Sequence, residues 1–586
     1  MSFLTLHAGP LTLQYDPIAG DLRYIRRGET EIVRRIYAAV RDETWFTVPA
    51  TLTEIERTVQ SDSFRIVYQA QHSREAVDFR WQGTITGDTD GTVTFAFDGE
   101  AHSDFLRNRV GICVLHPAEA AGQPCLVTHT DGEAEPGAFP DLIAPHQPFF
   151  DIAAIAQEIA PDITTTIRFT GDIFEMEDQR NWLDASFKTY STPLALPMPV
   201  SVVRGTTVQQ SVTLSLSGAA SKMPPVPFSD SLTVTVGEIA DVSLPLLGLV
   251  LPNEPGESDS DTALFLSGLP IDHFHAELDA SSADFTNALV RAVQVSDAAG
   301  KRLIVSLRHA KALPDSLPDE ADEVYVWLLV PPTTDGARRI KAVLPHNSTV
   351  VGGASAANFT ELNRARPNSS PGAWDYIGFA GNPQVHAFDA VSILETPPTI
   401  ATALQTARTF TDASLCVGPL TFYGSRQRDD PRQKTAPAAV WYFAALTYAI
   451  YGGASVVTLC ETVGPRGIVG NDGEAYPVYH LLHGFAEAAQ GAICDVHVSD
   501  TLSVAALAFD TLTGGQRLLV ANLTPTTQPV TIRGMKRTDI AGLRVLSEAT
   551  EGLFGETQTV AQDPDGTFVL TLPGHSIGWL HLETPK

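Results

Sequence analysis

At 586 residues and a formal net charge of −29, the chain is too long for one ordinary domain. It is also too acidic to favour DNA, RNA or an anionic membrane as a partner. Five scattered cysteines without CxxC spacing (Cys113, Cys125, Cys416, Cys460, Cys494) argue against a disulfide framework and a thiolate zinc site.

The first residues, Met-Ser-Phe-Leu-Thr-Leu-His, do not read as a secretion signal, and no run is apolar enough to span a bilayer. The expected location is therefore the cytoplasm. From Met1 to about Val236 the pattern is β. Leu4–Leu6, Leu11–Tyr15, Phe64–Tyr68, Phe79–Ile85, Gly91–Phe97, Thr164–Phe169 and Val208–Leu216 alternate apolar and polar residues between Gly, Asp and Pro punctuation. Many short strands at this spacing predict an antiparallel β-sandwich over residues 1–236. Within it, Phe174–Tyr190 is chemically dense: it carries Glu175, Glu177, Asp178, Arg180, Asn181, Trp182, Asp184 and Lys188. Two readings are open, a solvated loop with internal ion pairs or a polyol-binding loop in which Trp182 stacks on a ring. The Pro-bracketed Pro140–Pro148 reads as rigid, with His146 structural. A Pro-rich linker at Met223–Pro227 and one more strand, Ser231–Val236, close this domain.

The period then changes. Strands at Leu246–Leu251, Ile271–Asp279, Arg302–Leu307, Val324–Val330, Thr349–Gly353, Tyr376–Ala380, Ser414–Gly418 and Ser455–Cys460 alternate with helical stretches such as Asp284–Val293, Gly336–Val343, Pro437–Tyr451 and Tyr476–Gln490. Eight buried-looking strands in order predict a complete (β/α)8 TIM barrel over residues 237–492. A last β region, residues 493–586, predicts a small C-terminal β-sandwich.

The second strand organises the barrel. Phe274, Ala276 and Leu278 share one face; His273, His275 and Glu277 share the other. The apolar face should meet the helices and the polar face should look into the barrel, with Glu277 and Asp279 at the C-terminal end where barrel active sites form. Other strand ends carry Asn253 and Glu254 (first), Arg308 and His309 (third), and Asn358, Glu361 and Asn363 (fifth). Asn382, Gln384, His386 and Asp389 follow the sixth; Thr421, Tyr423 and Arg426 follow the seventh. Glu461 ends the eighth, ahead of Gly464-Pro465-Arg466. Taken singly, each is an ordinary loop contact; together they suit a polyhydroxylated, uncharged ligand. Barrel glycosidases of the common retaining type carry their acid and nucleophile carboxylates after strands four and seven; here Pro331-Pro332 and Thr421–Gly424 stand at those places. His273 and His275 lack the further ligands of a metal hydrolase, and no Gly-x-Ser-x-Gly or phosphate loop is present.

Glu175–Lys188, Val351-Gly-Gly with Asn358–Asn363, and the β, barrel, β layout resemble the D-apionate lactonases of bacterial apiose breakdown. The resemblance spans most of the chain. It implies hydrolysis of D-apionolactone to D-apionate in the cytoplasm, on a small-molecule sugar lactone. On the residues, Glu277 or Glu461 is the expected base. His275 or His273 would orient it or donate to the oxyanion, and no metal or other cofactor is expected. Arg180, Asn181, Trp182, Lys188, Asn358, Glu361, Asn382 and His386 are the expected substrate contacts. The alternatives are a glycoside hydrolase pairing two of Glu277, Glu361 and Glu461, and a non-catalytic carbohydrate-binding protein.

Overall fold

The computed structural model describes residues 3–218, 232–252, 265, 267–344, 350–367, 374–424, 429–512, 514–536 and 540–582. The chain divides into two compact units: Met1–Arg180 with Ser186–Asp230, and Asn181–Ala185 with Ser231–Lys586. Among the described residues no helix is long and apolar enough to cross a membrane.

In the first unit, strands from Leu4–Ala8 to Thr207–Gly218 join one hydrogen-bonded network of antiparallel neighbours. Alternation drives it. Along Val77–Gly87, Phe79, Trp81 and Ile85 point into the core while Arg80 and Gln82 face out. Burying Trp81 would strand its indole N–H, so Trp81 Nε1 donates to His72 Nε2 at 3.0 Å, and His72 Nδ1 meets the Val48 carbonyl at 2.7 Å.

Phe174–Tyr190, expected as a loop, is a β-hairpin. Strands Phe174–Asp178 and Ser186–Tyr190 pair antiparallel, and a 3-10 turn covers Gln179–Trp182. Phe174, Met176 and Phe187 enter the core. Glu177 and Lys188 face each other across the pair and form a buried ion pair. The charges are matched across strands rather than solvated.

In the second unit, eight parallel strands run in chain order: Leu246–Val250, His273–Asp279, Arg302–Arg308, Val324–Val330, Val351–Ser355, Tyr376–Gly381, Ser414–Leu420 and Val456–Val463. The first pairs with both the second and the eighth, which closes the barrel. Ile304, Val326, Leu328, Val330, Ala354, Cys416 and Val456 pack together as a cluster of its core. Helix Phe285–Ala299 runs beyond its expected end to a left-handed Gly300 cap. Phe359–Ala365 and Pro398–Arg408 are helices the periodicity did not announce. Ala436–Tyr451 is buried on nearly every side, as its all-round apolar sequence requires.

The C-terminal strands form a nine-stranded sheet. Leu232–Ile239, grouped on sequence with the first domain, lies in this sheet instead. It runs antiparallel to Gly491–Val498 and parallel to Gln528–Arg533. Its period-two pattern fits either β region, so sequence could not choose its partner. All five cysteines are buried and free.

Candidate active site

The second barrel strand places its side chains as its alternation predicts. Phe274, Ala276 and Leu278 are buried on one face. On the other, His273 Nε2 lies 2.9 Å from Thr458 Oγ1 of the eighth strand, and His275 Nε2 lies 2.7 Å from Ser306 Oγ of the third. Gly248 makes room: a Cβ there would collide with the His273 ring. Burial holds both imidazoles neutral. The His273 pKa falls to about 3, chiefly through desolvation with smaller pushes from His275 and Arg302, and that of His275 falls to about 4 through desolvation. The two histidines are therefore uncharged at neutral pH and already bonded through Nε2. Among the described residues, no group of three or more His, Cys, Asp or Glu is placed to share a metal ion.

Above them is the mouth. Val250 of the first strand pairs with His275 on one side and Glu461 on the other, so Glu461 stands level with His275. Glu277 follows one pleat further up its strand. The chain after Glu461 turns back through Gly464-Pro465, and Arg466 Nη2 meets Glu461 Oε1 at 3.2 Å. Glu277 has no ion pair among the described residues. Tyr423, three residues past the seventh strand, lies with its ring 6.0 Å from the Arg466 guanidinium carbon. Its phenol ionises only far above the ordinary range. Burial is the main cause, followed by the negative charge of Glu461, with Glu277 contributing less.

The turns bearing Tyr423 and Arg466 share one anchor. The Tyr442 hydroxyl accepts from the Phe422 N–H at 2.9 Å and donates to Gln433 Oε1 at 3.2 Å; Gln433 Nε2 donates to the Gly467 carbonyl at 3.0 Å. Gln384 Nε2 holds the Phe422 carbonyl at 2.7 Å, and Thr421 Oγ1 holds that of Tyr423 at 2.9 Å. At the rim, Asp279 bonds Ser281 and His309 at 2.6 and 2.8 Å, and these bonds hold its pKa near about 2.

The hairpin tip Asn181–Ala185 belongs to the barrel unit. Asn181 Oδ1 accepts from Asn363 Nδ2 at 3.0 Å. Asp184 Oδ2 bonds His386 Nδ1 at 2.7 Å, and the Trp182 ring meets His386 edge-on at 5.3 Å between centroids. The Arg364 guanidinium carbon lies over the Trp182 ring, 5.6 Å from its centroid. Asn181, Trp182 and His386 are thus brought together with residues of the fifth and sixth strand ends.

Three domain families match the chain: "D-apionate lactonase, N-terminal domain" over residues 2–219, "D-apionate lactonase, TIM barrel domain" over 275–490, and "D-apionate lactonase, C-terminal immunoglobulin-like domain" over 501–580. The chain belongs to the D-apionate lactonase family. A D-apionate lactonase of Brucella anthropi is 29% identical over 520 residues, covering 80% of this chain and 84% of that protein. Among solved structures, a GH51 arabinofuranosidase from Xanthomonas axonopodis pv. citri has a TM-score of 0.47 at 11% identity, covering 60% of this chain and 100% of its own. A GH30 endoxylanase from Clostridium papyrosolvens C71 has a TM-score of 0.41 at 12% identity, with the same coverage of 60% and 100%. Likeness at that level carries no argument about chemistry in a D-apionate lactonase family member.

Other expected contacts have different tasks. Arg180 is buried in the first unit: Nε and Nη2 grip Asp178 at 2.9 and 2.8 Å, Nη1 reaches the Asp141 carbonyl at 3.0 Å and Nη2 that of Pro140 at 2.7 Å. Its fork clamps the start of the Pro140–Pro148 segment. Lys188 is spent on Glu177, and burial lowers its proton affinity. Glu361 accepts from the Asn358 N–H at 3.0 Å and so caps helix Phe359–Ala365. Asn382 Oδ1 accepts from the Gln384 N–H at 3.0 Å and shapes the turn after the sixth strand. Asn253, Glu254 and Arg426 lie outside the described residues. Tyr423 and Arg466 were named on sequence only as strand-end positions. The signal for Arg466 was the Gly464-Pro465 turn that returns the chain to Glu461; for Tyr423 there was no local signal.

Proposed function

We propose that the chain hydrolyses D-apionolactone to D-apionate in apiose breakdown, in the cytoplasm, at the mouth of its barrel, with Glu277 as the general base. The observation that carries the assignment is the difference between two nearby carboxylates. Glu461 is neutralised by Arg466 at 3.2 Å, which weakens it as a proton acceptor. Glu277 has no such cation beside it among the described residues. It removes a proton from water as the water oxygen adds to the lactone carbonyl. The tetrahedral intermediate then expels the ring oxygen, which takes the proton back from Glu277. His275 and His273, neutral and buried on the same strand face as Glu277, hold the strand rather than shuttle protons. Asn181, Trp182 and His386 give the sugar hydroxyls amide, indole and imidazole partners.

Glu277→Gln tests the reading. It should lower kcat/KM on D-apionolactone about 10²-fold or more. Rates within a few-fold of the parent for both Glu277→Gln and Glu461→Gln would move the site away from this mouth.

A further inference from the structure

We propose that the Tyr423 phenol donates the hydrogen bond that stabilises the lactone carbonyl oxygen as it becomes an oxyanion. This rests on the lactonase reading of the barrel mouth and adds to it the electrophilic half of the reaction.

The placement comes first. An oxyanion donor must stand beside the base without being consumed by it. Tyr423 follows the seventh strand, next to the eighth strand that carries Glu461, and its phenol senses both Glu461 and Glu277. A hydroxyl near two carboxylates in a half-buried corner keeps its proton and so remains a donor throughout the working pH range.

Rigidity is the second observation. An oxyanion donor is effective when its position is fixed before the charge develops. The Tyr423 turn is pinned by three hydrogen bonds: the Phe422 N–H on Tyr442, the Phe422 carbonyl on Gln384, and the Tyr423 carbonyl on Thr421. Tyr442 and Gln384 are themselves buried. Through Gln433 the same anchor holds Gly467 and hence the neighbouring Arg466.

The third observation is donor surplus. Arg466 uses Nη2 on Glu461, while its buried Nε has no acceptor among the described residues. Among the described residues this corner therefore carries more donor capacity than they absorb, which suits an acceptor arriving with the substrate.

In the step itself, water loses a proton to Glu277 and its oxygen bonds the carbonyl carbon. The carbonyl π pair moves onto oxygen, where the Tyr423 O–H meets it without transferring its proton. Collapse re-forms the carbonyl, breaks the ring C–O bond and returns the Glu277 proton to the leaving oxygen.

Tyr423→Phe removes only the hydroxyl. With the melting temperature near the parent's, kcat should fall about 10²- to 10³-fold with little change in KM, the usual loss for one oxyanion donor. A kcat within threefold of the parent overturns the role of Tyr423; if Glu277→Gln is then still inactive, the site reading itself stands. A second measurement does not depend on the Phe variant folding. In the Glu277→Gln protein, the infrared carbonyl stretch of 13C-labelled D-apionolactone should move below its position in water. A bound carbonyl with no downshift overturns the proposal.

Discussion

Acid should unfold this protein partly through the two histidines inside its barrel. In the unfolded chain each has a pKa near 6.5; in the fold these fall to about 3 for His273 and about 4 for His275. The folded state therefore excludes protons that the unfolded state binds, and stability is lost as pH falls from the unfolded value toward the folded ones. At pH 5 both are mostly protonated when unfolded and mostly neutral when folded. Each then costs about 2 kcal/mol relative to pH 7.5, or about 4 kcal/mol for the pair. The figure depends little on the folded values, because any folded pKa well below 5 gives the same loss. Other groups titrate in this window too, so the useful quantity is a difference. Unfolding free energy should be followed from pH 7.5 to 5 for the parent and for His273→Gln and His275→Gln. Each substitution should remove about half of the extra slope. Curves parallel to the parent's would mean that these imidazoles titrate normally inside the fold, and their assignment as neutral scaffold would be wrong.

Arg180→Met leaves Asp178 buried without its cation. It should destabilise the first unit by about 3–5 kcal/mol while kcat/KM of the folded protein stays near the parent's; Lys188→Met should behave alike through Glu177. Thermal unfolding with parallel kinetics checks this, and a stable but inactive variant would return these cations to the ligand. Exhaustive chelation should leave activity on D-apionolactone unchanged. Loss restored by zinc or manganese would assign His273 and His275 to a metal after all.

The barrel was legible because parallel strands buried on both faces write continuous apolar runs, such as Val324–Val330, and because helices separate them. The polar face of the second strand was legible for a related reason: His273, His275 and Glu277 interrupt that rule at a period of two. The hairpin at Phe174–Tyr190 was not. Its stabilising pair, Glu177 with Lys188, is set by antiparallel register, and local charge density reads the same whether solvated or matched. The surroundings of Arg180 were hidden for the same reason, since its acceptors include backbone carbonyls of Pro140 and Asp141, which sequence does not display. Tyr423 depends on where the seventh and eighth strands deliver their turns, a property of the closed barrel and not of either segment.

The strand Leu232–Ile239 sets a timetable for synthesis. Its antiparallel partner, Gly491–Val498, lies about 250 residues later in the chain. At a ribosome speed of roughly 5–20 residues per second, that partner emerges about 13–50 s after the strand. A barrel could begin to close during this interval, but the C-terminal sheet could not. For all that time a Val- and Thr-rich segment waits with its edges unpaired, and it is in nascent chains, more than in the finished protein, that aggregation should begin.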